Sequence, residues 1–252
     1  MSDLSAFSLE GQTIVVTGAN TGIGQGIAVS AARAGARVVG VGRSPLDETA
    51  ALIGDANFLP HLADLADIDI AKTLIGILWS RYGAIDGLVN NAGIIRRADS
   101  AEHSEADWDD VFDINLKSLF FLSQAFGTRV LTEGRRGKIV NIASLLSFQG
   151  GIRVAAYTAS KHGVAGVTKT MANEWAARGI NVNAIAPGYI ESNNTAALRA
   201  DPDRSSAILG RIPAGRWGKP SDIGDAAVFL LAPASDYAHG AIVPVDGGWL
   251  GR

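Results

Sequence analysis

The sequence contains no cysteine. Disulfides, thiolate nucleophiles and cysteine-ligated metals are therefore excluded, and a cytoplasmic location is the expectation that fits. Charge is also sparse: charged residues make up 19% of the chain and the net charge is -3. No basic surplus exists to neutralise phosphates, so no nucleic-acid partner is expected. No apolar run approaches the roughly 20 residues that cross a bilayer, so no membrane partner is expected either. The start, Met1-Ser2-Asp3-Leu4, lacks the basic and apolar stretches of a secretory leader. His61, His103, His162 and His239 show no ligand spacing, so no metal site is expected.

What is present is an alternation of short apolar runs with longer helical stretches. Thr13 to Val16, Arg37 to Val41, a weak Asn57 to Leu59, Gly87 to Asn90, Ile139 to Ile142, Asn181 to Ile185 and Ala241 to Val245 read as strands. Ile23 to Ala34, Ile68 to Tyr82, a long region from Ser104 to about Leu131, Ala155 to Ala177 and a stretch opened by Pro220 read as helices. Such alternation implies parallel strands with helical crossovers. The expected fold is α/β, a Rossmann-type doubly wound parallel sheet in a three-layer α/β/α sandwich. Residues 1–252 form a single dinucleotide-binding and catalytic domain on this reading, with ligands beyond the carboxyl ends of the strands.

Thr17-Gly18-Ala19-Asn20-Thr21-Gly22-Ile23-Gly24 follows the first strand and opens a helix. Glycines there let the backbone turn sharply and approach a pyrophosphate, whose charge suits the helix start. A glycine cluster alone also serves ordinary turns. Its position at the head of the α/β repeat favours nucleotide binding.

Tyr157 and Lys161 lie one helical turn apart and share a face. Ser144 follows the strand Ile139 to Ile142, where the sheet delivers residues to the crevice. A free phenol titrates near 10, and a nearby ammonium favours the phenolate. Tyr157 is thereby a candidate general acid/base, with Ser144 holding the substrate oxygen. Taken alone, the pair reads more readily as a half-buried aromatic and a solvated lysine; the conjunction with the glycine turn reverses that reading.

Together these residues resemble the short-chain dehydrogenase/reductase family over nearly the whole chain. Asn90-Asn91-Ala92-Gly93 resembles its motif after the fourth strand, and Pro187-Gly188 the loop near the nicotinamide. The resemblance implies catalysis by Asn115, Ser144, Tyr157 and Lys161. Tyr157 would exchange the proton, Lys161 would bind the ribose and lower the tyrosine pKa, Ser144 would orient the carbonyl, and Asn115 would hold a relay water. It implies cofactor contacts from Gly18, Asn20, Thr21, Gly22, Ile23, Gly24, Asn91, Ala92, Gly93, Tyr157, Lys161, Pro187, Gly188, Ile190 and Ser192. Asp64 and Leu65 would meet the adenine. Within the family, Ser147 to Val154, Met171 to Trp175 and Arg211 to Gly218 resemble the 2-deoxy-D-gluconate 3-dehydrogenases, also called 2-dehydro-3-deoxy-D-gluconate 5-dehydrogenases. That subgroup implies a small sugar-acid substrate, uronate breakdown and a homotetramer.

The second strand ends Gly40-Val41-Gly42-Arg43-Ser44. Gly42 stands where an NAD enzyme often carries an acid for the ribose 2′-hydroxyl. Arg43, with Ser44, suits a 2′-phosphate. The reading favours NADP, with NAD as the alternative, although the subgroup is usually described with NAD. For the sugar acid, Arg96, Gln149, Arg153 and Asn194 are the favoured contacts, with Arg97, Arg211 and Arg216 as further candidate guanidiniums. The segment Tyr189 to Leu209 is expected to close over ligand. Two rival readings are a 3-oxoacyl carrier-protein reductase of the same family and a non-catalytic dinucleotide sensor. The second predicts loss of the Ser/Tyr/Lys set, which is present.

Overall fold

The computed structural model describes residues 4–252, with the side chain of Asn194 outside the described set. The N-terminal reading of residues 1–3 and the Asn194 substrate contact therefore fall outside the described residues. Seven strands form one parallel sheet in the order β3-β2-β1-β4-β5-β6-β7. These are β1 (Thr13–Thr17), β2 (Arg37–Gly42), β3 (Phe58–Leu62), β4 (Gly87–Asn90), β5 (Gly137–Ile142), β6 (Ile180–Pro187) and β7 (Ile242–Val245). The main helices are α1 (Gly22–Arg33), α2 (Asp47–Ile53), α3 (Ile68–Tyr82), α4 (Glu105–Phe112), α5 (Leu119–Thr132), α6 (Ala155–Trp175), α7 (Ala196–Ala200), α8 (Pro202–Leu209) and α9 (Pro220–Leu231).

The two-residue period of the strands divides the core between two faces. Ile14 and Val16 of β1 pack with α1 and α9, through Ile27, Ala31, Ile223 and Ala227. Val15 packs the other way, with Leu74, Leu78, Leu122, Phe126 and Met171 of α3, α5 and α6. β1 is buried at every position, as a strand covered on both faces requires. Caps set the helix limits: Asp67 accepts from the amides of Asp69 and Ile70 to start α3, and Gly83, at φ +85°, ends it. Among the described residues, no helix is long and apolar enough to cross a membrane.

Four buried polar side chains join the central strands to the α5/α6 layer. Asn90 on β4 donates to Ser123 of α5 and to Asn141 of β5, both at 2.9 Å, and Asn141 donates to Thr168 of α6 at 3.0 Å. The ladder lies just below the carboxyl ends of β4 and β5. The chain reverses its direction of crossover between β1 and β4, so the crevice opens beyond their carboxyl ends.

The sequence reading missed α2, and it read α4 and α5 as one helix. The structure inserts a wider π turn, Asp113–Ser118, between them. The third strand is longer than expected. Pro60 and His61 interrupt its apolar pattern, and an edge strand bonded only to β2 tolerates both.

Candidate active site

The turn from β1 into α1 is held by neighbours on both sides. The Thr17 hydroxyl donates to the Val89 carbonyl at 3.3 Å and accepts from the amides of Asn91 and Ala92, each at 3.0 Å. The Asn91 amide donates to the carbonyls of Thr17 and Gly18 at 2.9 and 3.3 Å. From α2, Thr49 donates to the Ala19 carbonyl at 2.8 Å. Gly18 sits at φ +65°, and a Cβ on Gly24 would lie 2.1 Å from the Gly18 carbonyl oxygen. Both positions therefore require glycine. Thr21 gives the start of α1 no side-chain cap, so the first-turn N–H groups are left to an incoming anion.

The cleft above this turn has a volume of about 310 Å3. Gly18, residues 20–24, Asn91, Ala92, Gly93, Ile142, Tyr157, Lys161, Ser192 and Asn193 line it. Most of the expected cofactor contacts thus meet in one place. Ile190 is not among the lining residues: its side chain is buried in the α1/α9 core and lies against Gly218, which leaves only its main chain to face the cleft. Pro187 and Gly188 line the adjoining cavity instead.

Past β2, Arg43 and Ser44 are exposed, and the Asn20 side chain donates to the Ser44 hydroxyl at 2.8 Å, joining the turn to this rim. Arg43 forms no ion pair among the described residues. One Asp64 oxygen caps the Ala66 amide at 3.0 Å, and the Leu65 carbonyl accepts from the Ser118 hydroxyl. A glycine cradle that any Cβ would fill, an uncapped helix start and a cation at the rim together fit a dinucleotide carrying a 2′-phosphate.

Tyr157 and Lys161 stand on α6, and Ser144 just past β5. Lys161 is buried, and its ammonium donates to the Ile142 carbonyl at 2.6 Å while lying 5.5 Å from the Tyr157 ring centroid. Burial pulls its pKa down to about 8. Burial pushes the Tyr157 phenol up, against its hydrogen bond with Ser144 and the positive field of Arg97. For the chain itself the net direction is upward, opposite to the lowering expected from the Tyr/Lys spacing. The Lys161 ammonium is engaged by the end of β5 instead.

Asn115 occupies the π turn, fully buried. Its side chain accepts from the Ile94 amide at 2.8 Å, donates to the Ile94 carbonyl at 2.9 Å, and reaches the Ser160 hydroxyl at 3.3 Å. Both ends of the amide bond the segment after β4 and so position it, and the amide oxygen keeps a second lone pair that a relay water could use.

A second cavity, of about 390 Å3, adjoins the first. Arg97, Ser144, Gln149, Tyr157, Pro187, Gly188, Tyr189, Arg204, Arg211 and Trp249 line it, with aliphatic side chains from Ile95, Leu146, Ile152 and Leu198. Among the described residues, Tyr157 is the one that lines both cavities. Gln149 is on the wall of this cavity.

Two of the expected arginines are not. Arg96 is drawn to α4, with Nε 3.2 Å from Asp107 and Nη2 3.1 Å from Asp110, and it does not line the cavity. Arg153, in the left-handed region at φ +62°, turns outward to Asp99 at 3.3 Å. Their expected substrate contacts are corrected to ion pairs on the rim. Arg216 is likewise paired, with Asp222 at 2.7 Å. Arg204, on the first turn of α8, was not read from the sequence, since no local motif marks it.

A family model described as Enoyl-(Acyl carrier protein) reductase matches residues 18–250. The 2-dehydro-3-deoxy-D-gluconate 5-dehydrogenase of Escherichia coli (strain K12) is 56% identical, over 99% of this chain and 99% of the relative. The chain belongs to the short-chain dehydrogenase/reductase family. Two solved structures are similar to this short-chain dehydrogenase/reductase throughout. One, from Agrobacterium tumefaciens, is provisionally assigned as a 2-deoxy-d-gluconate 3-dehydrogenase and holds bound NADP. It is 63% identical with a TM-score of 0.94, covering 98% of this chain and 99% of its own. The other, from Beutenbergia cavernae, is provisionally assigned as an NAD(P)-dependent gluconate 5-dehydrogenase and holds NADP at low occupancy. It is 51% identical with a TM-score of 0.93, covering 98% of this chain and 100% of its own.

Proposed function

We propose that this short-chain dehydrogenase/reductase interconverts a hydroxyl and a ketone on a deoxy sugar acid, using NADP. The observation that carries the proposal is the side chain shared by the two cavities. Tyr157 separates a glycine-walled cleft fit for a dinucleotide from a cavity lined by guanidiniums, hydroxyls and an amide. When bound, the nicotinamide supplies or takes up the hydride.

The chain's own residues do the rest. Gly18 and Gly24, with the start of α1, hold the pyrophosphate, and Arg43 and Ser44 hold the 2′-phosphate. Ser144, which lines the substrate cavity with Tyr157, binds the substrate oxygen. Tyr157 gives that oxygen its proton in reduction and takes it in oxidation. Lys161 would hold the cofactor's ribose, and its positive charge beside Tyr157 favours the ionised phenol. Gln149 hydrogen-bonds sugar hydroxyls. Asn115 keeps the segment after β4 in place between the two cavities. A cytoplasmic location accords with the lack of cysteine, and the subgroup resemblance supports a homotetramer and a role in uronate breakdown. Size-exclusion chromatography with light scattering tests the assembly.

The reaction is tested by turnover of 2-dehydro-3-deoxy-D-gluconate, 2-deoxy-D-gluconate and gluconate with NADP and with NAD, beside a 3-oxoacyl thioester. The expected result is highest efficiency on a deoxy sugar acid with NADP. Loss of general acid/base catalysis accounts for about 10²–10⁴-fold, so Tyr157→Phe is expected to lose activity on that scale while keeping its NADP affinity. Higher efficiency on the thioester, or near-normal turnover in Tyr157→Phe, would overturn the proposal.

A further inference from the structure

Among the described residues, the cavity on the substrate side of Tyr157 is lined by three guanidiniums, Arg97, Arg204 and Arg211, and by no aspartate or glutamate. That imbalance occurs in a chain whose net charge is -3. Nearby guanidiniums outside the cavity are neutralised: Arg96 by Asp107 and Asp110, Arg153 by Asp99, and Arg216 by Asp222. Arg204 and Arg211 have no carboxylate partner among the described residues.

Arg211 is also held in a definite pose. Its Cζ lies 4.1 Å from the Trp249 ring centroid, and Tyr189 packs on the same ring at 4.7 Å. A guanidinium stacked by its face keeps its in-plane N–H groups for an oxygen ligand. Arg204 joins it from the first turn of α8, and both guanidiniums are close enough to Tyr189 to pull its phenol pKa down against the effect of burial.

We propose that Arg204 and Arg211 form the receptor for the substrate's carboxylate, binding the acid end of the sugar while Tyr157 and Ser144 meet its reacting carbon. The assignment rests on the sugar-acid reading above and adds to it the residues that select an acid over a neutral polyol. Both arginines belong to the stretch between β6 and β7.

The test uses the full chain saturated with NADP, titrated with gluconate or with the neutral polyol sorbitol at fixed ionic strength. Heat of binding and tryptophan emission are followed, the latter because Trp249 lies beneath Arg211. The variants are Arg204→Gln, Arg211→Gln, their combination, Arg211→Lys and Arg97→Gln. A hydrogen bond to a charged group contributes about 1.5–3 kcal/mol, so the double variant is expected to weaken gluconate by at least about 100-fold. NADP affinity and sorbitol binding are expected not to change. Arg211→Lys keeps the charge but loses the planar fork, and about a tenfold loss is expected.

Gluconate binding within threefold of wild type in the double variant overturns the assignment. So does parallel loss of gluconate and NADP binding in both single variants, which marks a structural role, or a loss confined to Arg97→Gln. If the wild-type chain binds gluconate through this pair yet turns over no sugar acid, the carboxylate receptor stands and the proposed reaction falls.

Discussion

Replacing Asn115 with alanine tests whether one buried side chain positions both halves of the site. The substitution removes the acceptor for the Ile94 amide and the donor to the Ile94 carbonyl. An orphaned buried polar group costs about 1–3 kcal/mol. Ile94 is only half-buried, so water recovers part of that. Taking about 1 kcal/mol for each of the two main-chain groups and a smaller sum for the cavity, the loss is about 2–3 kcal/mol. In a chain of this size each kcal/mol moves Tm by roughly 2–4 °C, so Tm is expected to fall by about 4–12 °C. Gly93 lines the dinucleotide cleft and Ile95 the substrate cavity, one on each side of Ile94. Both KM for NADP and KM for the substrate are therefore expected to rise. Asn115→Asp refines the test: it keeps the acceptor but sets a carboxylate oxygen against the Ile94 carbonyl. Protonation restores the missing donor, so its deficit against wild type is expected to shrink as pH falls from about 8 to about 5, through the raised pKa of the new carboxyl. Thermal unfolding across that range, with steady-state kinetics, measures each quantity. An Asn115→Ala variant with Tm within about a degree of wild type and unchanged kinetics would refute the reasoning.

Arg43→Ala is expected to lower kcat/KM with NADP by roughly 10–100-fold, the scale of charge-assisted hydrogen bonds, while leaving NAD nearly unchanged; equal losses with both cofactors would count against the 2′-phosphate contact. Lys161 titrates near 8 in the folded chain against an ordinary value of 10.5. Between those values the unfolded chain holds a proton that the folded chain has released, so this residue makes stability rise with pH. The stability difference between wild type and Lys161→Met, from urea midpoints, is expected to grow by about 3 kcal/mol across that window, and a flat or falling difference would contradict it. Arg153→Ala removes an exposed ion pair outside the cavity, so substrate KM within twofold of wild type and a stability change below about 1 kcal/mol are expected; a large rise in KM for acids alone would return Arg153 to the site.

The α/β alternation was legible because each central strand is a short, mainly apolar run bounded by turn residues. Thr13 to Val16 and Gly87 to Asn90 lie within a residue of β1 and β4. The glycine turn, Tyr157, Lys161 and Ser144 were legible because their chemistry needs fixed residue types at fixed places after strands. The arginines were not, because the direction of a long flexible side chain depends on who else is nearby. Arg96 could not be assigned without knowing that Asp107 and Asp110, one turn apart on α4, lie beside it. Arg153 and Arg204 show the same limit from opposite sides: a left-handed backbone turns the first out of the cavity, and the fold of a segment with little apolar pattern brings the second in. Thr17 and Thr49, which brace the turn, were missed because a threonine at the end of a strand or inside a short helix is unremarkable until its hydroxyl has a partner.

The ladder of Asn90, Ser123, Asn141 and Thr168 constrains how this enzyme can change over generations. An apolar residue at any one position orphans a neighbour that has almost no water to turn to, and Asn90 already has one oxygen without a partner. Replacing all four with matched apolar side chains removes every stranded group at once and can be nearly neutral. Single-step drift is therefore blocked at these positions while a concerted exchange is open. A library that varies the four sites jointly is expected to recover folded apolar combinations that no library of single substitutions would reach.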